Sequence, residues 1–217
     1  MLERRTLDQF RSLEEMRSIL DNFSVDCTNF SNPLVHRRRG LAKDIIEEYE
    51  PLYHLARELE GFASAKLTGE SFPGPDAIIR LTDGSEVTLQ ITTAGETEST
   101  ALQREKLSQG ECVFPNQHAT KVLPSKRITA QGRVLTTKKA NTQRMMEEVK
   151  AALQRKIVAH RSGTQCLLIR IRQPSLTMES NWAARLGVAL LHVGFSPYSG
   201  VYVTNTDKCT RCAGALP

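Results

Sequence analysis

The residues best suited to chemistry stand fourteen positions apart: Asp76, directly after Pro75, and the triplet Gln90-Ile91-Thr92. Asp76 opens the run Ala77-Ile78-Ile79-Arg80-Leu81, which reads as a strand, and Asp83-Gly84 is a strong hairpin signal because both residues accept positive φ. Side chains alternate along a strand, so the second arm places Glu86, Thr88, Gln90 and Thr92 on one face and Val87, Leu89 and Ile91 on the other. A carboxylate and a polar row on adjacent rigid strands form a platform for a metal that does phosphodiester chemistry. Pro75, which has no N–H to donate, is tolerated just before the strand.

Helices must supply whatever else such a site needs. The spacing of Leu7, Phe10, Leu13 and Leu20 predicts an amphipathic helix over 6–22, followed by a polar loop to Asn32-Pro33. A second helix is expected over 35–60, with Leu41, Ile45, Leu52, Leu55 and Leu59 on its buried side and Pro51 kinking or splitting it. Glu48 falls within about 20° of Leu41 on a helical wheel. It is either a carboxylate at the edge of the stripe that reaches water or an Arg, or one delivered to the neighbourhood of Asp76. Glu58 and Glu60 are weaker candidates for that second role, and Arg37-Arg38-Arg39 is a solvated face or a phosphate contact.

A first strand is expected over 62–68, a helix over 141–160, a strand over 166–172 buried on both faces, a helix opened by Ser175, and a last strand at 201–204. Lys156 lies seven residues after Val149 and so points toward the apolar stripe of its helix, either snorkelling to the rim or aimed at an acidic site. Residues 95–139 differ in character. From 99 to 139, eight Lys and Arg (Arg104, Lys106, Lys121, Lys126, Arg127, Arg133, Lys138, Lys139) face two acids, a surplus larger than the +5 of the whole chain. A loop of that length is a solvated insertion or a flap that engages a polyanion through its phosphates.

The 217 residues suit one elaborated domain, divided as an N-terminal helix and loop (1–34), a main domain (35–205) with the basic insertion, and a tail (206–217). No apolar run nears the roughly 20 residues that span a bilayer, and the polar start argues against a signal peptide. Five Cys, an odd and mostly scattered set, suit a reducing cytoplasm, and Cys209 and Cys212 read as a free thiol pair rather than half of a zinc site.

The element order and the Pro75-Asp76…Gln90-Ile91-Thr92 motif resemble the PD-(D/E)XK nuclease superfamily over residues 38–172. The resemblance implies an α/β, restriction-endonuclease-like αβββαβ core, a mixed central sheet flanked by helices, here with an N-terminal helix and a C-terminal helix-strand extension. It implies Mg²⁺ or Mn²⁺ held by Asp76, Gln90, the Ile91 carbonyl and Glu48, and catalytic roles for Asp76, Gln90, Thr92, Lys156 and Glu48. Gln90 stands where the family has an acid and Thr92 where it has lysine, so Lys156 is the candidate for a migrated lysine. Lys106, Lys121, Lys126, Arg127, Arg133, Lys138 and Lys139 would contact nucleic acid, DNA being the expected substrate. Three functions compete: a metal-dependent nuclease that works as a monomer or homodimer, a degenerate fold that binds nucleic acid without cutting it, and a partner-binding module of a defence or prophage system.

Overall fold

The computed structural model describes residues 4–27, 41–69, 74–95, 117–122, 127–133, 137–160, 163–171, 177–205 and 209–214. The chain is an α/β protein: its described residues form a six-stranded mixed sheet in the order β1-β2-β3-β6-β7-β8, a separate two-stranded β4-β5 pair, and four helices. The strands of the main sheet are β1 (Phe62–Leu67), β2 (Ala77–Leu81), β3 (Glu86–Thr93), β6 (Cys166–Arg170), β7 (Gly200–Thr204) and β8 (Cys209–Gly214).

β1, β2 and β3 form an antiparallel meander. The β2–β3 turn is the expected hairpin, with Gly84 at φ 87° and the Asp83 carboxylate accepting from the Ser85 N–H at 2.9 Å. β3, β6 and β7 run parallel, which requires long crossovers, and helices supply them. β6 and β7 are buried along their whole length, as parallel strands covered on both faces must be.

Helix α1 spans Leu13–Cys27. Helix α2 runs through Leu41–Asp44, a π-helical turn at Ile45–Tyr49 and Glu50–Glu58. Both pack on one face of the sheet, where Leu52 and Leu55 meet Ile79, Leu89 and Leu168. Helices α3 (Lys138–Val158) and α4 (Trp182–Val193) cover the other face, where Val149, Leu153 and Leu186 meet Leu167 and Val201. The alternation of each strand thus feeds two separate cores, with Leu89 and Ile91 on the α2 side and their neighbours Gln90 and Thr92 on the α3 side.

Four expectations are corrected. The first helix starts at Leu13, not at 6, because Ser12 and Glu15 form a capping box: the Ser12 N–H donates to Glu15 Oε2 at 2.8 Å and the Glu15 N–H to Ser12 Oγ at 3.3 Å. Ahead of it, Arg11 pairs with Ala65 as a bridge to the edge of β1, and Leu7 is fully buried. The second helix is not regular up to Pro51: it widens to a π-helical turn over Ile45–Tyr49 and returns to α at Glu50, one residue ahead of the proline. Pro51 has no N–H for the carbonyl of residue 47 and would clash with it in a regular helix. The wider turn ahead of it, with the Glu50 N–H bonded to the Ile45 carbonyl, lets the helix pass through. The insertion is not a structureless loop, since β4 (Gln117–Val122) and β5 (Arg127–Arg133) pair antiparallel within it. The tail is not loose either, because β8 pairs with β7 along the edge of the sheet and Cys209 is buried.

Candidate active site

Asp76 sits one residue ahead of β2, and its main chain and side chain both continue the ladder. Its N–H donates to the Leu89 carbonyl at 2.7 Å, its carbonyl accepts from the Thr68 N–H at 3.1 Å, and its Oδ2 accepts from the Ile91 N–H at 2.7 Å. The Thr68 hydroxyl also donates to the Pro75 carbonyl. The carboxylate thus replaces the rung that β2 is too short to provide and is held rigidly where β2 ends. In a strand the N–H and C=O of one residue point the same way, so the Ile91 carbonyl faces the same gap as its N–H.

Glu48 comes to this gap from α2. The π turn packs against β3, and Tyr49 and Ile45 are buried on its sheet-facing side. The Glu48 carboxyl is pushed up to about 7, first by burial, then by the negative charges of Asp76 and Asp44, against the opposing pull of Arg4 and Lys43. Glu48 thus lies within range of the Asp76 charge, on the α2 side of the sheet. Asp44, one turn earlier and itself buried, is ion-paired to Arg4, which also approaches Asp8 at 3.6 Å. Burial works against the Arg4 charge, but Asp44 and the neighbouring carboxylates lift it above its ordinary value. Among the described residues, the carboxylates Asp44 and Asp76 and the cations Arg4 and Lys43 all act on Glu48, and Asp8 acts on Arg4.

Gln90 and Thr92 go elsewhere. Their side chains leave β3 toward α3, the face opposite Glu48, and Gln90 is buried there against Tyr198. The Tyr198 hydroxyl lies 2.6 Å from the Gln90 amide oxygen and 2.9 Å from the Lys156 carbonyl. A phenol has one proton and cannot donate to both. The arrangement that satisfies both contacts has the Gln90 NH₂ donating to Tyr198 Oη, which donates to the Lys156 carbonyl; an amide's O and N are exchangeable on such grounds. The four-ligand set Asp76, Gln90, Ile91 and Glu48 is therefore not gathered on one side: Glu48 reaches Asp76 from the α2 layer, while Gln90 ties β3 to the end of α3. Thr92, on the Gln90 side and level with Ile169, does not face Glu48, and Lys156 belongs to that same opposite layer.

Tyr198→Phe leaves the Gln90 amide and the Lys156 carbonyl without their shared partner inside the protein. A loss of about 1–3 kcal/mol is expected. It would be seen as a lower melting temperature; a melting temperature equal to that of the wild type would refute the network.

Of the basic residues, Lys106 and Lys126 lie outside the described residues. Lys121 falls in β4, Arg127 and Arg133 in β5, and Lys138 and Lys139 in the first turn of α3, capped by the Thr137 side chain accepting from the Ala140 N–H. That turn has no acid, although a helix N-terminus favours negative charge, so two lysines there raise its attraction for an anion.

A magnesium-type ion uses one or two carboxylates, further oxygens and several waters. Among the described residues no three His, Cys, Asp or Glu side chains form a cage. Glu48, Asp76 and the Ile91 carbonyl offer the sparser kind of set, all oxygens and two of them on carboxyl groups. Arg4, Asp44 and Tyr198 escaped the sequence reading. Asp44 carried a signal, four residues ahead of Glu48 on the same helix; Arg4 and Tyr198 carried none, being distant in sequence from what they touch. No helix among the described residues is long and apolar enough to cross a membrane. Comparison with known proteins finds no matching family model, no matching curated protein and no matching solved structure.

Proposed function

We propose that the protein is a divalent-metal-dependent nuclease on a restriction-endonuclease-like core, hydrolysing phosphodiester bonds of DNA at a site centred on Asp76 and Glu48. The observation that supports this reading is a helix carboxyl, Glu48, raised to about 7 by burial first and next by the charge of the strand-borne Asp76. Order also supports it: a helix with Glu48, the β1–β3 meander with Asp76 at the start of its second strand, a crossover helix, then a parallel strand.

Glu48, Asp76 and the Ile91 carbonyl would hold Mg²⁺ or Mn²⁺, which when bound polarises the phosphate and makes water a competent nucleophile at neutral pH. The rest falls to the chain. Asp76, fixed by the Ile91 N–H, sets the position of the reacting phosphate against the sheet. Glu48, raised to about 7 without a cation, would give up its proton on binding one and so tie the loading of the site to pH. Arg4, ion-paired to Asp44, limits repulsion within the cluster. The basic residues of the insertion and of the first turn of α3 would hold the polyanion through its phosphates.

A second reading, nucleic-acid binding without cleavage, is favoured by one observation: both motif positions that should bear charges, Gln90 and Thr92, are neutral and face the other layer. A protein partner in a defence or prophage system remains the third. Incubation of supercoiled and single-stranded DNA with the protein and Mg²⁺ or Mn²⁺ separates them. Cutting supports the nuclease. Salt-sensitive binding without cutting supports the second reading, and neither result leaves the third.

A further inference from the structure

An open groove runs between α3 and α4 on the outer surface, far in the fold from Asp76 because it lies outside the helices rather than at the sheet. Its floor is apolar, formed by Met146 from α3 and Val188, Ala189 and Val193 from α4. Val188 is 58% exposed and the adjoining Leu191 62%, two of the three most exposed large apolar side chains among the described residues. Its rim is basic. Lys150 stands on one side, Arg185 and His192 on the other, and no carboxylate among the described residues lines it.

The charge extends beyond the groove. Helix α4, Trp182–Val193, contains no acid at all, and α3 contains none after Glu148 while carrying Lys150, Arg155 and Lys156. One countercharge comes from below, since Glu179 pairs with Arg185. That leaves Lys150 and His192 to meet a ligand. A second copy of this chain is a poor occupant, because its own groove would bring the same positive charge. A nucleic-acid backbone would match the charge but leave the apolar floor unfilled. The occupant that satisfies both is an amphipathic helix with two or three large apolar residues on one face and Asp or Glu beside them. Helix α4 is about 18 Å long, room for roughly three turns of a helix lying along it.

We propose that this groove docks an acidic amphipathic helix of a partner protein, the apolar face seated on Met146, Val188 and Ala189 and the acids on Lys150 and His192. The docking does not depend on the nuclease reading, because no residue is shared with the Asp76–Glu48 site.

The probe is a panel of labelled 14-residue helical peptides with Leu, Ile or Phe at i, i+3, i+4 and i+7 and Glu at flanking positions, each with a charge-swapped copy carrying Lys for Glu. Fluorescence anisotropy is expected to show saturable binding of at least one acidic peptide and binding at least about 10-fold weaker for its swapped copy, roughly 1.4 kcal/mol. Lys150→Glu and Val188→Asp, both at exposed or half-exposed positions, should each weaken it about 10-fold with the melting temperature retained, and Asp76→Asn should leave it unchanged. Hydrogen exchange should slow in α3 and α4 on peptide addition. Absence of binding across the panel, or equal binding of acidic and swapped peptides, would overturn the proposal. So would binding confined to phosphatidylserine-containing vesicles, which would make the face a membrane-surface contact instead.

Discussion

Asp76→Asn is expected to lower metal-dependent cleavage of DNA by at least about 10²–10³-fold while leaving the fold intact. The two halves of that expectation have separate causes. Asn keeps an oxygen that accepts from the Ile91 N–H, so the rung that completes the β2–β3 ladder survives. What is lost is the negative charge, and with it the charged oxygen of the proposed cation site and the first of the charges that act on Glu48. The variant should therefore melt close to the wild type, bind Mn²⁺ more weakly by electron paramagnetic resonance, and show a Glu48 carboxyl that titrates nearer its ordinary range. Supercoiled-plasmid nicking is the readout. Cleavage by the variant at the wild-type rate would remove Asp76 from the mechanism, and an inert wild type under both Mg²⁺ and Mn²⁺ would end the nuclease reading altogether.

Glu48→Gln is expected to do the opposite of most substitutions at a half-buried position: it should stabilise the protein, and only at higher pH. The folded-state carboxyl titrates near 7 against an ordinary value of 4.5. Between those values the folded chain holds a proton that the unfolded chain has released, so stability falls as pH rises through the window and stays reduced above it. Gln imitates the protonated form at every pH. The variant should match the wild type below pH 4.5 and gain through the window. Above pH 7 the gain should level off at about 1–2 kcal/mol after allowance for solvent screening, or roughly 3–6 °C. Thermal melts in a chelator at pH 4.5 and pH 8 measure this. A divalent cation reverses the sign, because it favours the ionised carboxyl. Metal binding by the wild type should strengthen with pH up to about 7, and that dependence should flatten in Glu48→Gln. A pH-independent difference in melting temperature would show that Glu48 is not the strained group. Stability gained with activity lost is the usual signature of a residue kept for function.

The hairpin was the most legible part of the chain. Its signals are local: Asp83-Gly84 fixes the turn, and the alternation of Val87, Leu89 and Ile91 fixes which face is apolar. The faces themselves were assigned correctly, but alternation does not say which layer lies over which face. Gln90 and Thr92 were assumed to meet Glu48 because the motif suggested it, whereas Val87, Leu89 and Ile91 are the side chains that pack under α2. Glu48 was singled out by a wheel drawn at 3.6 residues per turn, a period that does not hold across Ile45–Tyr49. The wheel found a residue that does turn inward, without the local geometry that turns it. The start of α1 failed for a different reason. Leu7 and Phe10 are spaced as in a helix, but Leu7 is buried in a segment that clips onto β1, and the cap at Ser12 decides where the helix begins. Non-local partners such as Arg4 with Asp44 and Tyr198 with Gln90 leave no trace in spacing, because nothing in the sequence sets the distance between them.

The parallel pairing of β3 with β6 has a thermodynamic consequence for the basic insertion. Gln90 pairs with Leu167, so this register is closed across 77 residues, most of them the insertion and α3. The entropy of closing a flexible connection grows only with the logarithm of its length, and halving it changes stability by about 0.6 kcal/mol. The insertion leaves from Gly95, just past β3, and the chain re-enters the core at Thr137, the cap of α3. Its length and composition are therefore nearly decoupled from the register of the sheet. Selection, or an engineer, can exchange that segment while the strands on either side of it stay in phase.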